Sequence, residues 1–343
     1  MTFFDQILKA IQKDPGNRGL AKNPERNLFN QFPNDFQGAC QSIAENLKPR
    51  IMIVTGFIIP SVSPPLGETD GPLGAVFLSK TLTELAIPVE IWTDSFAISA
   101  IAAGLEVLGL KEEIPLQGIP TKLKKEHYSR LDSFTHIIAL ERVGPNHVTD
   151  SIRNQQQAIL GHQKWLAQGS PQASAIEIAA FENAVEPKKR NCCYTMRGQD
   201  ITELMQPAHL LMPEAEQEKR PVTIGIGDGG NEIGMGKMPY SIIAENITQG
   251  GLIACRVPTD YLIVAGVSNW GAYALAAGIG LARNANAVEL FHAELEKEVL
   301  EKMVRQGPLV DGVTGKKTPT VDGLSWEQYV EPFNEIRTIL SEL

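Results

Sequence analysis

The sequence predicts an α/β protein: a three-layer, mostly parallel sheet, Rossmann-like and doubly wound, with an N-terminal helical extension and a helical insertion. Three observations predict it. Short apolar runs recur along the chain, such as Ile51-Met52-Ile53-Val54 and Tyr261-Leu262-Ile263-Val264, and continuous runs of this length suit strands covered on both faces. Most are followed by helical periodicity, the alternation that builds parallel sheets. Nearly every run ends on a polar or glycine-containing turn, and the carboxyl edge of an open α/β sheet is where ligands bind.

Residues 1–48 form the extension. Phe3, Phe4, Ile7, Leu8 and Ile11 recur at helical spacing, Asp14-Pro15-Gly16-Asn17 ends that helix, and residues 37–47 read as a second one. No catalytic constellation is visible there. From Arg50 the pattern changes. The strand at 51–54 closes on Thr55-Gly56, and a Pro/Gly-rich loop over 60–72 leads into a helix over 73–86. Val89-Glu90-Ile91-Trp92 is a strand ending on Thr93-Asp94, ahead of an Ala-rich helix over 97–108. His136-Ile137-Ile138-Ala139-Leu140 is a strand ending on Glu141-Arg142. Residues 148–191, rich in glutamine, read as the helical insertion. Val222-Thr223-Ile224-Gly225-Ile226 runs into Gly227-Asp228-Gly229-Gly230, with a further strand expected over 252–257. The strand at 261–265 ends on Gly266-Val267-Ser268-Asn269. Helices over 271–282 and 288–305, a turn-rich stretch over 311–323 and a last short helix complete the chain. Residues 49–343 thus read as one catalytic α/β domain enlarged by its insertion.

Composition narrows the function. Of 343 residues, 31 are Lys or Arg and 40 are Asp or Glu, a net charge of −9. That balance disfavours nucleic acid as partner. The one dense basic run, Lys188-Lys189-Arg190, suits a solvated turn. No apolar run approaches the roughly 18 residues of a membrane span. Cys40, Cys192, Cys193 and Cys255 form no metal clip, and few thiols in a long chain suit a reducing compartment. The N-terminal residues lack a signal-peptide pattern. A cytoplasmic protein acting on a small molecule is expected, and a homo-oligomer is compatible with it.

The loop Gly67-Glu68-Thr69-Asp70-Gly71-Pro72 sets two carboxylates two residues apart between glycines. It suits a cation, an ammonium or a proton, or else one helix cap and one solvated acid. Gly225-Ile226-Gly227-Asp228-Gly229-Gly230 matches G-x-G-x-x-G after a strand and ahead of an expected helix. Asp228, however, puts a negative charge where a pyrophosphate would lie. Asn231 and Met238 also break the P-loop pattern. Free N–H groups at this turn would suit a carboxylate, while Asp228, Asn231 and Glu232 would suit a cation. Arg142 and Arg197 are the arginines expected to grip a carboxylate bidentately. The histidines show no metal spacing, and Trp270 spoils a nucleophile elbow around Ser268.

Taken together, Thr55-Gly56-Phe57, Glu68-Thr69-Asp70-Gly71-Pro72 with Gly74-Ala75, Glu141-Arg142, the run from Gly227 to Lys237, and Ala265-Gly266-Val267-Ser268-Asn269-Trp270-Gly271 resemble the D-glutamate cyclase family, in its C-terminal catalytic region. Weaker similarity lies at Tyr194 to Asp200 and at Val321-Asp322-Gly323. The resemblance covers about residues 50–324, interrupted near 148–191. It implies a hydro-lyase that cyclises D-glutamate to 5-oxo-D-proline with release of water. The expected catalytic residues are Glu68, Asp70, Asp228, Glu232 and Arg142. The expected substrate-binding residues are Thr69, Glu141, Arg197, Gly229, Gly230, Asn231, Lys237, Ser268 and Asn269. Glu68, Asp70, Asp228 and Glu232 are hard oxygen donors that favour Mg²⁺ or Mn²⁺ over Zn²⁺, and no nucleotide is expected. Two other readings stay open: an amino-acid- or carboxylate-binding protein, and a phosphate- or nucleotide-dependent enzyme that uses the Gly-rich turn.

Overall fold

The computed structural model describes residues 1–146, 175–212 and 220–342. In chain order its elements are α1 (Phe3–Ile11), α2 (Asp35–Ala44), β1 (Ile51–Thr55), β2 (Ile58–Ile59), β3 (Leu66–Gly67), α3 (Pro72–Glu84), β4 (Val89–Thr93), α4 (Ser95–Val107), β5 (Leu116–Gly118), α5 (Lys125–Leu131) and β6 (His136–Leu140). They continue with α6 (Ala175–Ala184), β7 (Val222–Gly227), α7 (Tyr240–Asn246), α8 (Gly250–Ile253), β8 (Tyr261–Val264), α9 (Ser268–Ala282), α10 (Ala293–Gln306) and α11 (Trp326–Ser341).

Six strands form one sheet in the order β5-β4-β1-β6-β7-β8, all pairs parallel. This is the α/β fold the alternating pattern predicts. Alternate strand residues enter two separate cores. Ile51, Ile53, Ile91, Ile138, Leu140 and Ile224 pack with α1 to α4 and α9 to α11. Met52, Val54, Trp92, Ile137 and Ala139 pack with residues of α5 to α8 on the other face. The strands are mostly apolar because both faces are covered, with Glu90 and His136 among the buried polar exceptions.

The order reverses between β1 and β6. From β1 the chain crosses by α3 toward β4, and from β6 it proceeds toward β7. A crevice opens at such a switch point beyond the carboxyl ends of the strands. Glu68, Asp70 and Glu141 lie there.

Several expectations are corrected. Residues 252–257 are not a strand. Gly250–Ile253 is a helical turn, and the next backbone groups bond to the Gly-rich run (Cys255 N donates to Gly230 O, Gly234 N to Val257 O) rather than to the sheet. A short apolar run cannot by itself distinguish these states. No helix opens on the Gly-rich turn; the next begins at Tyr240. The last helix has 16 residues and is not short. β5, α5 and the antiparallel β2–β3 ribbon were not anticipated. Of the expected insertion, residues 148–174 lie outside the described residues.

The N-terminal helices share the main core: Ile7, Ile11, Phe36 and Cys40 are fully or nearly fully buried in it. Asp35 in α2 accepts hydrogen bonds from Leu262 N (2.8 Å) and Lys237 Nζ (2.5 Å), tying α2 to the β8 edge.

One buried acid lies away from the crevice. Glu296 in α10 contacts Tyr273 Oη, which in turn hydrogen-bonds Tyr329 Oη at 2.6 Å. Burial pushes the Glu296 carboxyl up to about 8, with the Tyr273 hydrogen bond opposing. The folded state therefore holds a proton that the unfolded chain releases near its ordinary 4.5. This stability is fully present below that value and is lost as pH rises through about 8. Glu296→Gln should flatten the fall in melting temperature between pH 5 and 8. An unchanged pH slope would show that another group carries it.

Candidate active site

The loop after β1 builds the first wall. Glu68 N donates to Phe57 O (3.0 Å) and Thr69 N to Val310 O (3.0 Å), so the backbone fixes the direction of Glu68. A Cβ on Gly312 would lie only 1.9 Å from Glu68 Oε2, so a side chain at 312 would push the Glu68 carboxylate out of its present position.

Asp70 Oδ1 accepts from Gly71 N at 3.0 Å beside its own helix, but the side chain also reaches a second one. Its carboxylate accepts from Ser268 N (3.0 Å) and Asn269 N (2.8 Å), the first turn of α9. Asn269 Oδ1 returns the arrangement, accepting from Gly71 N and Gly74 N (both 2.8 Å) at the start of α3. Each helix thus caps the other, and four N–H groups of the two N-termini are satisfied in the exchange. Gly74 lets the helices approach this closely, since its Cβ would lie 2.9 Å from Asn269 Cα. Asn269 and the Ser268 backbone are engaged in this structural exchange. The Ser268 hydroxyl donates to Glu141 Oε2 at 2.6 Å. Glu141 itself is left-handed, with φ 43°, a strained conformation for a residue with a side chain.

The Gly-rich run is a close-packed fold-back. A Cβ on Gly225 would lie 2.6 Å from Gly234 Cα, and one on Gly227 would lie 2.8 Å from Glu232 Oε2. The glycines let residues 232–234 lie directly on β7. Glu232 fills the turn, accepting from Gly230 N at 2.8 Å. The Gly230 N–H that was expected to receive a substrate carboxylate is therefore already used.

These loops enclose a cavity of about 350 Å³, at the small end of the roughly 300–1,000 Å³ range of small-molecule sites. Glu68, Asp70, Glu141, Asp228 and Glu232 line it, each between 1% and 6% exposed. Asp322 completes the acidic ring. Arg18, from the loop after α1, reaches in: Nη1 is 2.6 Å from Asp228 Oδ2 and Nη2 is 2.6 Å from Asp322 Oδ2. The Asp228 contact is ionic, since Oδ2 accepts no aligned hydrogen bond. Asn231 Oδ1 is likewise buried without a hydrogen-bond partner, while its Nδ2 donates to Tyr194 O.

Crowding of acids raises proton affinity. Burial, then repulsion from Asp322 and Asp228, holds Glu68 and Asp70 well above the usual carboxylate range. Burial, then Asp228 and Glu232, does the same for Glu141. Burial and Asp228 push Glu232 up to about 7. Asp322 reaches about 6, raised by burial and restrained by Arg18. Neighbouring acids of unequal proton affinity are the usual equipment for moving protons.

The structure brings together seven expected residues at the cavity: Glu68, Asp70, Glu141, Arg197, Asp228, Asn231 and Glu232. Arg197 sits exposed at the rim, donating to Val313 O at 3.0 Å. Seven others do not line it, and Gly230, Ser268 and Asn269 are held in the contacts described above. Arg142 is fully buried behind the site, paired with Asp94 and donating to Gly56 O and Gln206 O. A strand-end arginine looks the same in sequence whether it faces the cavity or the core. Lys237 serves the α2 contact described above. Thr69 donates to Thr320 O at 2.8 Å. Gly229 is confined by Asn231, Glu232 and Met196. The expected metal donors do not converge as one set. Carboxylate oxygens group as Asp70, Asp228 and Asp322, and as Glu141, Asp228 and Glu232, each within 4.8 Å, with Glu68 in neither among the described residues. Sequence reasoning missed Arg18 and Asp322. Arg18 follows a turn that reads only as a helix end, and Asp322 had a weak signal in Val321-Asp322-Gly323.

The profile of a family described as "D-glutamate cyclase-like, C-terminal" matches residues 7–337. That span includes the end of α1, Arg18 and all of α2. The chain is also similar to human mitochondrial D-glutamate cyclase, 29% identical over 286 residues, which is 80% of this chain and 38% of the human protein. The chain therefore spans well under half the length of that relative.

Proposed function

Because this chain belongs to the D-glutamate cyclase-like family, we propose that it converts D-glutamate to 5-oxo-D-proline and water, as a hydro-lyase. The observation that carries the reading is the ring of buried acids of unequal proton affinity around one buried arginine in a small cavity. Lactam formation needs that combination. The α-ammonium gives up two protons, its nitrogen bonds to the γ-carbon, and a γ-oxygen departs with both protons as water. No net proton is exchanged, so the task is a shuttle between groups on one molecule, whose positioning already removes much of the barrier.

Asp228 is the base in this reading, because it lines the cavity and its Oδ2, in ionic contact with Arg18, accepts no aligned hydrogen bond. Glu68, whose proton affinity is raised by burial and then by its acidic neighbours, supplies the proton to the departing oxygen. Asp70 positions α3 and α9 rather than reacting. A divalent ion, Mg²⁺ or Mn²⁺, would be held by Glu141, Asp228 and Glu232, and would supply added polarisation of the γ-carboxyl.

The test is incubation of purified protein with D- and L-glutamate, with and without Mn²⁺, and chiral chromatography for 5-oxoproline. Lactam from the D-isomer is expected. None from either isomer under either condition overturns the reading.

A further inference from the structure

We propose that Arg18, delivered by the N-terminal loop, grips and neutralises the substrate carboxylate that becomes the lactam carbonyl. The inference rests on the cyclase reading and names a residue and a recognition role within it. Attack by an amine on a carboxylate is opposed by the carboxylate's own charge. A site made almost wholly of acids makes that worse, so a cation must meet the reacting group.

The described cations near the crevice can be compared by what they touch. Arg142 and Lys237 are committed to Asp94 and Asp35 away from the cavity. Arg197 is exposed at the rim. Arg18 has a side chain only 12% exposed and touches Asp228, the base, at 2.6 Å. The reacting carboxyl must lie within reach of that same base, and hence of Arg18.

The loop that carries Arg18 is built for the purpose. The Asp14 carboxylate accepts from Arg18 N (2.9 Å), Gly19 N (2.9 Å) and Leu20 N (3.0 Å). Gly19 has φ 97°, and a Cβ there would fall 2.2 Å from Asn246 O. Leu20 is fully buried. The guanidinium is thus held before substrate arrives. Its two acid partners engage one terminal nitrogen each, and a planar fork of five N–H donors has capacity left for a third carboxylate.

The experiment compares D-glutamate with its γ-methyl ester, whose carbonyl is uncharged and whose leaving group is methanol. Arg18→Gln should lower kcat/KM for the acid by about 100-fold or more. It should affect the ester, measured above its uncatalysed rate, far less. Arg18→Lys keeps the charge but not the fork, so it should fold as the wild type does and lose activity on the acid to an intermediate degree. Equal losses on acid and ester, or no loss on either, would overturn the assignment. Calorimetry with D-glutamate separates this from the broader reading. Wild-type binding that weakens about tenfold or more in Arg18→Gln supports the assignment even if no lactam forms, an outcome that sinks the cyclase reading alone. Unchanged affinity in the variant overturns the role of Arg18, and a wild type that binds no D-glutamate overturns both.

Discussion

Asp228→Asn is expected to abolish nearly all lactam formation, a loss of about 10²–10⁴-fold for a positioned base, without lowering the melting temperature. The substitution keeps the shape of the side chain and removes its charge. Asp228 raises the proton affinity of Glu68, Asp70, Glu141, Glu232 and Asp322, so neutralising it eases the charge crowding on whichever of them are ionised. It weakens one favourable contact, the ion pair with Arg18. Turnover by chromatography and unfolding by scanning calorimetry check both halves. A collapse in melting temperature would make Asp228 the anchor of the Arg18 loop rather than the base.

Gly266→Ala should show the opposite pattern, a fall in stability that carries activity with it. Gly266 sits where β8 turns into α9, and its N–H donates to Ile11 O at 2.9 Å. A Cβ at this position would lie 1.7 Å from Lys13 O and 3.1 Å from the Trp270 ring. Neither is a flexible side-chain end that could swing away. The chain after α1 would have to move, and that chain leads directly to Arg18. A cost of about 3 kcal/mol is expected for such overpacking, read as a lower urea midpoint with unchanged slope. Activity should fall further than the unfolded fraction explains, because Arg18 moves with the backbone. A variant with wild-type stability would show that α1 docks loosely, and would weaken the case for a preorganised arginine.

Much of the fold was legible in the sequence. Strands buried on both faces are apolar at most positions, so Ile51-Met52-Ile53-Val54 and Ile137 to Leu140 announced themselves without reference to partners. The short edge strand β5 did not, since Leu116-Gln117-Gly118 has little apolar surface to declare. The acids at the strand ends were legible for a related reason. Loop chemistry at the carboxyl edge stands out against apolar strands, and Glu68, Asp70, Glu141, Asp228 and Glu232 all reach the cavity.

What each of those groups does was decided in three dimensions. Asp70 and Asn269 are 199 residues apart, yet each caps the helix of the other. Gly225 to Gly230 has the outline of a dinucleotide turn, which Asp228 argues against, and its glycines serve to press one backbone against another. Arg142 sits beside a cavity acid in the sequence and turns into the core, while Arg18 sits in a region with no visible chemistry and enters the cavity. The sequence by itself determined the sheet and the inventory of acids at its edge, because periodicity and residue type are local properties. Only the tertiary structure decided which cation answers those acids and which N–H groups remain for a ligand. Ion pairs and caps depend on which segments meet, and segments far apart in the chain meet only once the sheet has closed around its switch point.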